Sequence, residues 1–207
     1  MSSLPSKAKV VVIGTGIVGN SMLYHLARLG WRDLVQIDKG PLPNPGGSTG
    51  HASNFIFPTD HSKVVSTIIA DSVRQYKARG TFTKCGGIEV ARTPERMQEL
   101  TRRMTSAKSW GVSDAKLLTP AEVKALVPYI DETVILGGFY SPSVGVVDGL
   151  RAGTLMREDA IAMGAAQTFA NIEVLGMDVE GGRIKRVRTD HGDIEACLLY
   201  TSPSPRD

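Results

Sequence analysis

Cysteine is nearly absent. Cys85 and Cys197 are the two among 207 residues, too few and too far apart for a disulfide framework or a four-thiolate metal site, so no metal is expected. An excess of charge of one sign is also missing. Lys and Arg number 24 against 21 Asp and Glu, a net +3, too small and too scattered for a nucleic-acid or membrane footprint, and neither partner is expected. Long apolar runs are lacking as well: near the start the longest is Val10 to Ile13, far short of a membrane span or a secretory core. No Arg precedes this run, which argues against a mitochondrial presequence and makes the cytoplasm the expected compartment. No internal repeat is evident. With 42% apolar and 22% charged residues, the composition is that of an ordinary globular chain, one domain or part of a larger one.

What is present concentrates in the first fifty residues. Lys9-Val10-Val11-Val12-Ile13 reads as a strand buried on both faces of a parallel sheet. Gly14-Thr15-Gly16-Ile17-Val18-Gly19 follows, and then a helix in which Val18, Met22, Leu26 and Leu29 share one face and Gly30 is the stop signal. A second apolar strand, Leu34 to Ile37, ends on Asp38. Each part has a chemical reason. Gly14 permits the tight turn, Gly16 lets the backbone approach a pyrophosphate, and Gly19 allows the helix to lie close to the strand. The helix start offers N–H groups and a positive dipole end to phosphates, and Asp38 is placed to accept hydrogen bonds from a ribose. The strand before, the helix after and the acid at this distance together predict a dinucleotide site.

The fingerprint does not choose between NAD and FAD, which share an ADP half. Residues 40–54 form a long loop rich in glycine and hydroxyls, longer than most connections in an α/β unit and suited to lie against a ligand. On the residues alone, His51 within it reads as a hydrogen-bonding loop histidine rather than a reactive group.

The motifs resemble a known family. Val11 to Gly19, Tyr24-His25-Leu26, Leu29-Gly30-Trp31 and above all Gly47-Ser48-Thr49-Gly50-His51-Ala52 are similar to the N-terminal part of the dimethylglycine and sarcosine dehydrogenases. These are FAD-dependent amine oxidoreductases of the glycine-oxidase-like (DAO) family. The likeness continues through Gly86-Gly87-Ile88, Thr93 to Arg96, Leu118 to Glu122 and Asp190 to Ile194. It implies FAD, carried covalently by His51, since the histidine of the family's Gly-Ser-Thr-x-His-Ala stretch bears the flavin. The same matching carries ADP contacts to Ile17 and Val18, and ribose contacts to Asp38 and Lys39. It also carries flavin contacts to Gly47, Ser48, Thr49, Gly50, His51, Ala52, Ser53, Asn54 and Phe55, and an adenine contact to the backbone at Val174. Asp38 stands where relatives commonly have glutamate. The implied substrate is a small N-methylated amine, with tetrahydrofolate a partner of the full-length protein. A nicotinamide-dependent dehydrogenase and a non-catalytic nucleotide-binding module are the alternatives. No catalytic acid or base is assigned.

The expected fold is α/β: a Rossmann-like FAD-binding domain with an inserted α+β excursion on the substrate side, truncated at its C-terminus. Within the excursion, Val65, Ile68, Ile69, Ser72 and Tyr76 share helical spacing and are expected in a core, with Thr59 or Asp60 as cap. A strand over 86–91, a helix opened by Thr93-Pro94 and another opened by Thr119-Pro120 follow, and Asp148 is expected to cap a helix running to Met163. Arg183–Thr189 and Asp193–Ala196 read as a hairpin about His191-Gly192. Residues 1–196 are expected to be native and 197–207 a foreign tail, because Pro203 and Pro205 end any strand.

Overall fold

In the computed structural model, which describes residues 3–202, the elements run in chain order as follows. Strand β1 (Lys7–Ile13), helix α1 (Ile17–Arg28) and strand β2 (Leu34–Asp38) lead to a single 3-10 turn over Ser48–Gly50. Strand β3 (Phe55–Ile56), helix α2 (Lys63–Ala78), strands β4 (Phe82–Lys84) and β5 (Gly87–Ala91), helix α3 (Pro94–Ser109), strand β6 (Lys116–Leu118) and helix α4 (Pro120–Leu126) follow. After them come β7 (Gly137–Ser141), β8 (Gly145–Val147), α5 (Gly149–Ala162), β9 (Ala166–Ala170), β10 (Val174–Glu180), β11 (Arg183–Thr189) and β12 (Gly192–Thr201). The chain divides into two units, one of residues up to 52 and from 148 onward, the other of residues 53–147.

The first unit is built on a six-stranded mixed sheet in the order β10-β11-β12-β1-β2-β9. Strands β12, β1, β2 and β9 are parallel neighbours, and β10, β11 and β12 form an antiparallel meander. Because β1 and β2 are central, both their faces are covered, which is why they read as unbroken apolar runs rather than alternating ones. Val11, Val35, Ile37, Val187 and Ile194 form one core, and Val10, Val12, Leu23, Ala27, Leu34 and Ala160 form the other. β2 and β9 are adjacent in space, while the whole second unit lies between them in sequence. The expected interrupted dinucleotide-binding fold is therefore present.

The fully buried residues of α1 are Gly19, Asn20, Leu23, Tyr24 and Ala27; of the apolar face read from the sequence, Met22 and Leu26 are half-buried against the core, while Val18 is 42% and Leu29 77% exposed. The helix is held close at a glycine and an asparagine, which an apolar count does not see. At the other end of the chain, β12 runs past Ala196 to Thr201. Cys197–Thr201 continue β12, with Leu198, Leu199, Tyr200 and Thr201 in parallel register with Val10, Val11, Val12 and Ile13. Leu199 packs toward one core and Tyr200 toward the other, the two-faced pattern a central strand needs. Pro203 and Pro205 lie outside the described residues.

The second unit holds two three-stranded antiparallel sheets, β3-β8-β4 and β5-β7-β6. Ala91, Leu100, Ala107, Ala115 and Phe139 form its main core. Arg103, also buried, pairs with Glu89 at 2.6 Å and lies over the Phe139 ring. The helix starts follow the sequence. Thr93 accepts from the Arg96 N–H ahead of α3, and Thr119 and Glu122 make a complete capping box on α4. In the first unit Asp148 accepts from the Arg151 N–H ahead of α5. Helix α2 departs from expectation. Its residue before the helix is Ser62, not Thr59 or Asp60, and only Ser66 is buried along it, with Val65 and Ile68 exposed. Its apolar stripe is thus split: Val65 and Ile68 face solvent, while Ile69, Ser72 and Tyr76 are half-buried. Among the described residues no helix is long and apolar enough to cross a membrane.

Candidate dinucleotide site

The site in the first unit begins where β1 ends. Gly14 has φ +106°, a backbone conformation strained for any residue with a side chain, so the turn from strand to helix requires glycine there. Its N–H donates to the Ile37 carbonyl at 2.8 Å, which joins the turn to β2. At Gly19 a Cβ would stand 2.0 Å from the Gly14 carbonyl oxygen. Glycine is what lets α1 lie this close to the turn. Gly16 precedes α1 without a side-chain cap of its own, and no acid lies in the first turn, so no negative side chain of α1 offsets its positive end.

Asp38 ends β2 beside this turn. Its Oδ2 accepts from both the N–H and the hydroxyl of Thr15, at 2.7 and 2.9 Å, and its Oδ1 accepts from the Gly40 N–H at 2.8 Å. Since each carboxylate oxygen takes about two hydrogen bonds, Oδ1 keeps one acceptor site for a ribose hydroxyl. Lys39 is exposed. The chain entering β10 crosses the same point, for the Ile172 N–H donates to the Asp38 carbonyl and the Asn171 N–H to that of Gly40. Val174, the first residue of β10, follows directly, its side chain turned into the core.

The Gly47–Ala52 loop reaches the helix start. Thr49 Oγ1 accepts from the Ile17 N–H at 3.0 Å, and a Cβ on Gly16 would meet the same oxygen at 3.1 Å. The loop holds its own shape through donations from the Gly50, His51 and Ala52 N–H groups to the carbonyls of Gly47 and Ser48. A Cβ on Gly50 would lie 2.7 Å from Oδ1 of the exposed Asn44, so a side chain there requires the Asn44 amide to move. Ser48, His51 and Ala52 are exposed. The structure thus brings Gly14, Gly16, Ile17, Val18, Gly19, Asp38, Lys39, the loop through Ala52 and Val174 onto one unit. Ser53, Asn54 and Phe55 belong to the other, where the Asn54 carbonyl accepts from Val147 and Phe55 pairs with Val146.

One group of residues escaped the sequence reading. Gln36, fully buried in β2, donates through Nε2 to the Gly14 carbonyl and to Asn20 Oδ1, each at 3.0 Å. Asn20 Nδ2 donates to the Thr15 carbonyl at 2.8 Å, and the Thr168 hydroxyl to Gln36 Oε1 at 3.1 Å. A lone glutamine inside an apolar strand was the available signal.

The family described as FAD dependent oxidoreductase, DAO, matches residues 9–201. Mitochondrial sarcosine dehydrogenase of Mus musculus is 33% identical over 95% of the chain, which spans 22% of that protein. The mitochondrial pyruvate dehydrogenase phosphatase regulatory subunit of the same species is 28% identical over 97% of the chain, which spans 23% of it. Among solved structures, L-proline dehydrogenase from P. horikoshii superposes with a TM-score of 0.86 at 28% identity, over 96% of this chain and 53% of that one. The chain spans under a quarter of the length of these two curated relatives.

Proposed function

The chain belongs to the FAD dependent oxidoreductase (DAO) family, and on that premise we propose that the intact protein oxidises an N-methylated glycine, sarcosine or dimethylglycine, or a related amine. The observation that carries the reading is the junction of two motifs. The glycine turn with Asp38 and the Gly-Ser-Thr-Gly-His loop meet at the first N–H of α1 through Thr49. The residues present fit FAD: Gly16 and Gly14 clear the approach, the helix start has no acid of its own, and Asp38 Oδ1 keeps an acceptor site. The α1 N-terminus would hold the pyrophosphate, Asp38 the ribose, the backbone at Val174 the adenine, and the loop 47–55 the flavin. When bound, FAD supplies the acceptor for a hydride from the N-methyl carbon, leaving an iminium that yields formaldehyde or a methylene group for tetrahydrofolate. The family's FAD dependence sets the nicotinamide alternative aside.

His51 is the proposed point of covalent attachment, supported by its place in the loop and its exposure. The test is to denature the intact protein in acid. Flavin absorbance should stay with the precipitate and move to the supernatant in His51→Ala; free flavin from the unsubstituted protein would refute the attachment. Anaerobic bleaching of the flavin by sarcosine or dimethylglycine tests the substrate class. The likeness to a protein named as a regulatory subunit favours one second reading, a nucleotide-binding module without turnover, which predicts bound FAD that neither amine reduces. The compartment proposed from the sequence is the cytoplasm. Recovery of the intact protein with mitochondria on fractionation, where the names of both relatives place those proteins, would overturn it.

A further inference from the structure

Resting on the reading of the glycine turn as an FAD site, we propose that Gln36 and Asn20 are positioning residues. Their paired amides set the direction of the turn's N–H groups and thereby its affinity for the dinucleotide. The polarity of the pair is dictated by its surroundings. The carbonyls of Gly14 and Thr15 can only accept, so Gln36 must turn Nε2 toward the first and Asn20 must turn Nδ2 toward the second. That leaves Asn20 Oδ1 to accept the other Gln36 N–H, and Gln36 Oε1 to accept the Thr168 hydroxyl. Flipping either amide sets donor against donor or acceptor against acceptor. The network therefore has one arrangement.

Its consequence for the turn follows from peptide geometry. In a planar trans peptide the N–H points opposite to the C=O. Holding the Gly14 carbonyl against Gln36 aims the Thr15 N–H away from it, and there it meets Asp38 Oδ2 at 2.7 Å. Holding the Thr15 carbonyl against Asn20 aims the Gly16 N–H to the side opposite that amide. The strut thus orients two consecutive peptides, one engaged with Asp38 and the next belonging to the residue that approaches the pyrophosphate. A buried glutamine in a central strand is unfavourable unless its amide is satisfied. Gln36 meets that condition, and every donor of its Nε2 goes to the turn or to Asn20.

The experiment measures FAD affinity of the intact protein in a His51→Ala background, where the flavin is exchangeable and can be removed, by quenching of flavin fluorescence, alongside thermal unfolding of each variant. Gln36→Met keeps the volume and removes both donors; Asn20→Asp keeps the shape and replaces the donor facing Thr15 by an acceptor. Ile194→Ala, in the core of β12 away from the turn, is the control for stability alone. At a temperature where all are folded, the two strut variants should bind FAD about tenfold more weakly, and Ile194→Ala within about twofold of the unsubstituted protein, whatever its own melting point. If Gln36→Met gives no folded protein, Asn20→Asp and Thr168→Val carry the comparison. Strut variants that bind within about twofold of the unsubstituted protein, or that lose no more affinity than Ile194→Ala does, overturn the positioning role and leave the FAD reading standing. An unsubstituted protein that binds no FAD overturns both.

Discussion

Alanine at Gly19 and alanine at Gly16 should damage the protein in opposite ways. At position 19 the new Cβ lies 2.0 Å from the Gly14 carbonyl oxygen and 3.0 Å from its carbon. Both are backbone atoms of a turn already fixed to β2, so neither can swing aside. A carbon and an oxygen in ordinary contact are about 3.3 to 3.6 Å apart, and α1 must move by more than about 1 Å. Overpacking of this kind costs about 3 kcal/mol at the upper end of its usual range, offset by about 1 kcal/mol from the better helix propensity of alanine. The net loss of about 2 kcal/mol corresponds to a melting point lower by about 4–8 °C for a chain of this size. At position 16 the Cβ meets only Thr49 Oγ1, at 3.1 Å, the end of a side chain that can rotate. The backbone there, φ −67° and ψ 177°, suits alanine without strain. Gly16→Ala should therefore melt within about 2 °C of the unsubstituted protein yet bind FAD at least tenfold more weakly, because a methyl group at the turn would crowd the close backbone approach proposed for the pyrophosphate. Circular dichroism melts and FAD titrations of the two variants, each in the His51→Ala background that leaves the flavin exchangeable, separate the effects. A Gly19→Ala melt unchanged within about 1 °C would show that the close approach of α1 does not exist in solution. Undiminished FAD binding by Gly16→Ala would remove the pyrophosphate from that face.

Asp38→Asn should lower both melting point and FAD affinity, since an amide NH2 must oppose Thr15 or Gly40, both of which donate to the carboxylate; the expected loss of about 1–2 kcal/mol is read by urea unfolding. Thr119→Ala removes the capping box of α4 and should cost about 1 kcal/mol in the same assay, leaving FAD binding unchanged. Hydrogen bonds from the Thr119 backbone, then from its hydroxyl, hold the Glu122 carboxyl below its ordinary pKa. A carboxylate so depressed stabilises the folded state above its unfolded pKa of about 4.3 and loses that contribution as pH falls through the folded value. Glu122→Gln should accordingly flatten the acid side of the stability profile, and an unchanged slope below about pH 5 would refute the assignment. The Asp190 carboxyl is likewise held down, chiefly by its hydrogen bond with His191, so Asp190→Asn should also flatten the profile in acid.

The parts of the fold that were legible in the sequence are those whose signal is local. Thr119-Pro120-Ala121-Glu122 specifies a helix start with its own atoms, and the capping box forms as read. Gly14 and Gly19 specify a turn because a Cβ at either would meet strain or backbone. What was misread depends on partners distant in the chain. The apolar stripe of α2 has the spacing of a core face, but burial is decided by what packs against it, and Val65 and Ile68 remain exposed. The pairing of Leu198–Thr201 is with β1, nearly two hundred residues earlier, a partner that the prolines following them do not reveal. Gln36 is the sharpest case. Counted by hydropathy, Leu-Val-Gln-Ile is an apolar strand with one blemish. Taken atom by atom, a glutamine in a strand covered on both faces needs partners for two donors and an acceptor. One donor goes to the Gly14 carbonyl of the turn beside the strand's end, where Gly19 leaves room for the approach. The polar residue in an apolar strand thus carried information about the site that its apolar neighbours, which specify only the sheet, could not.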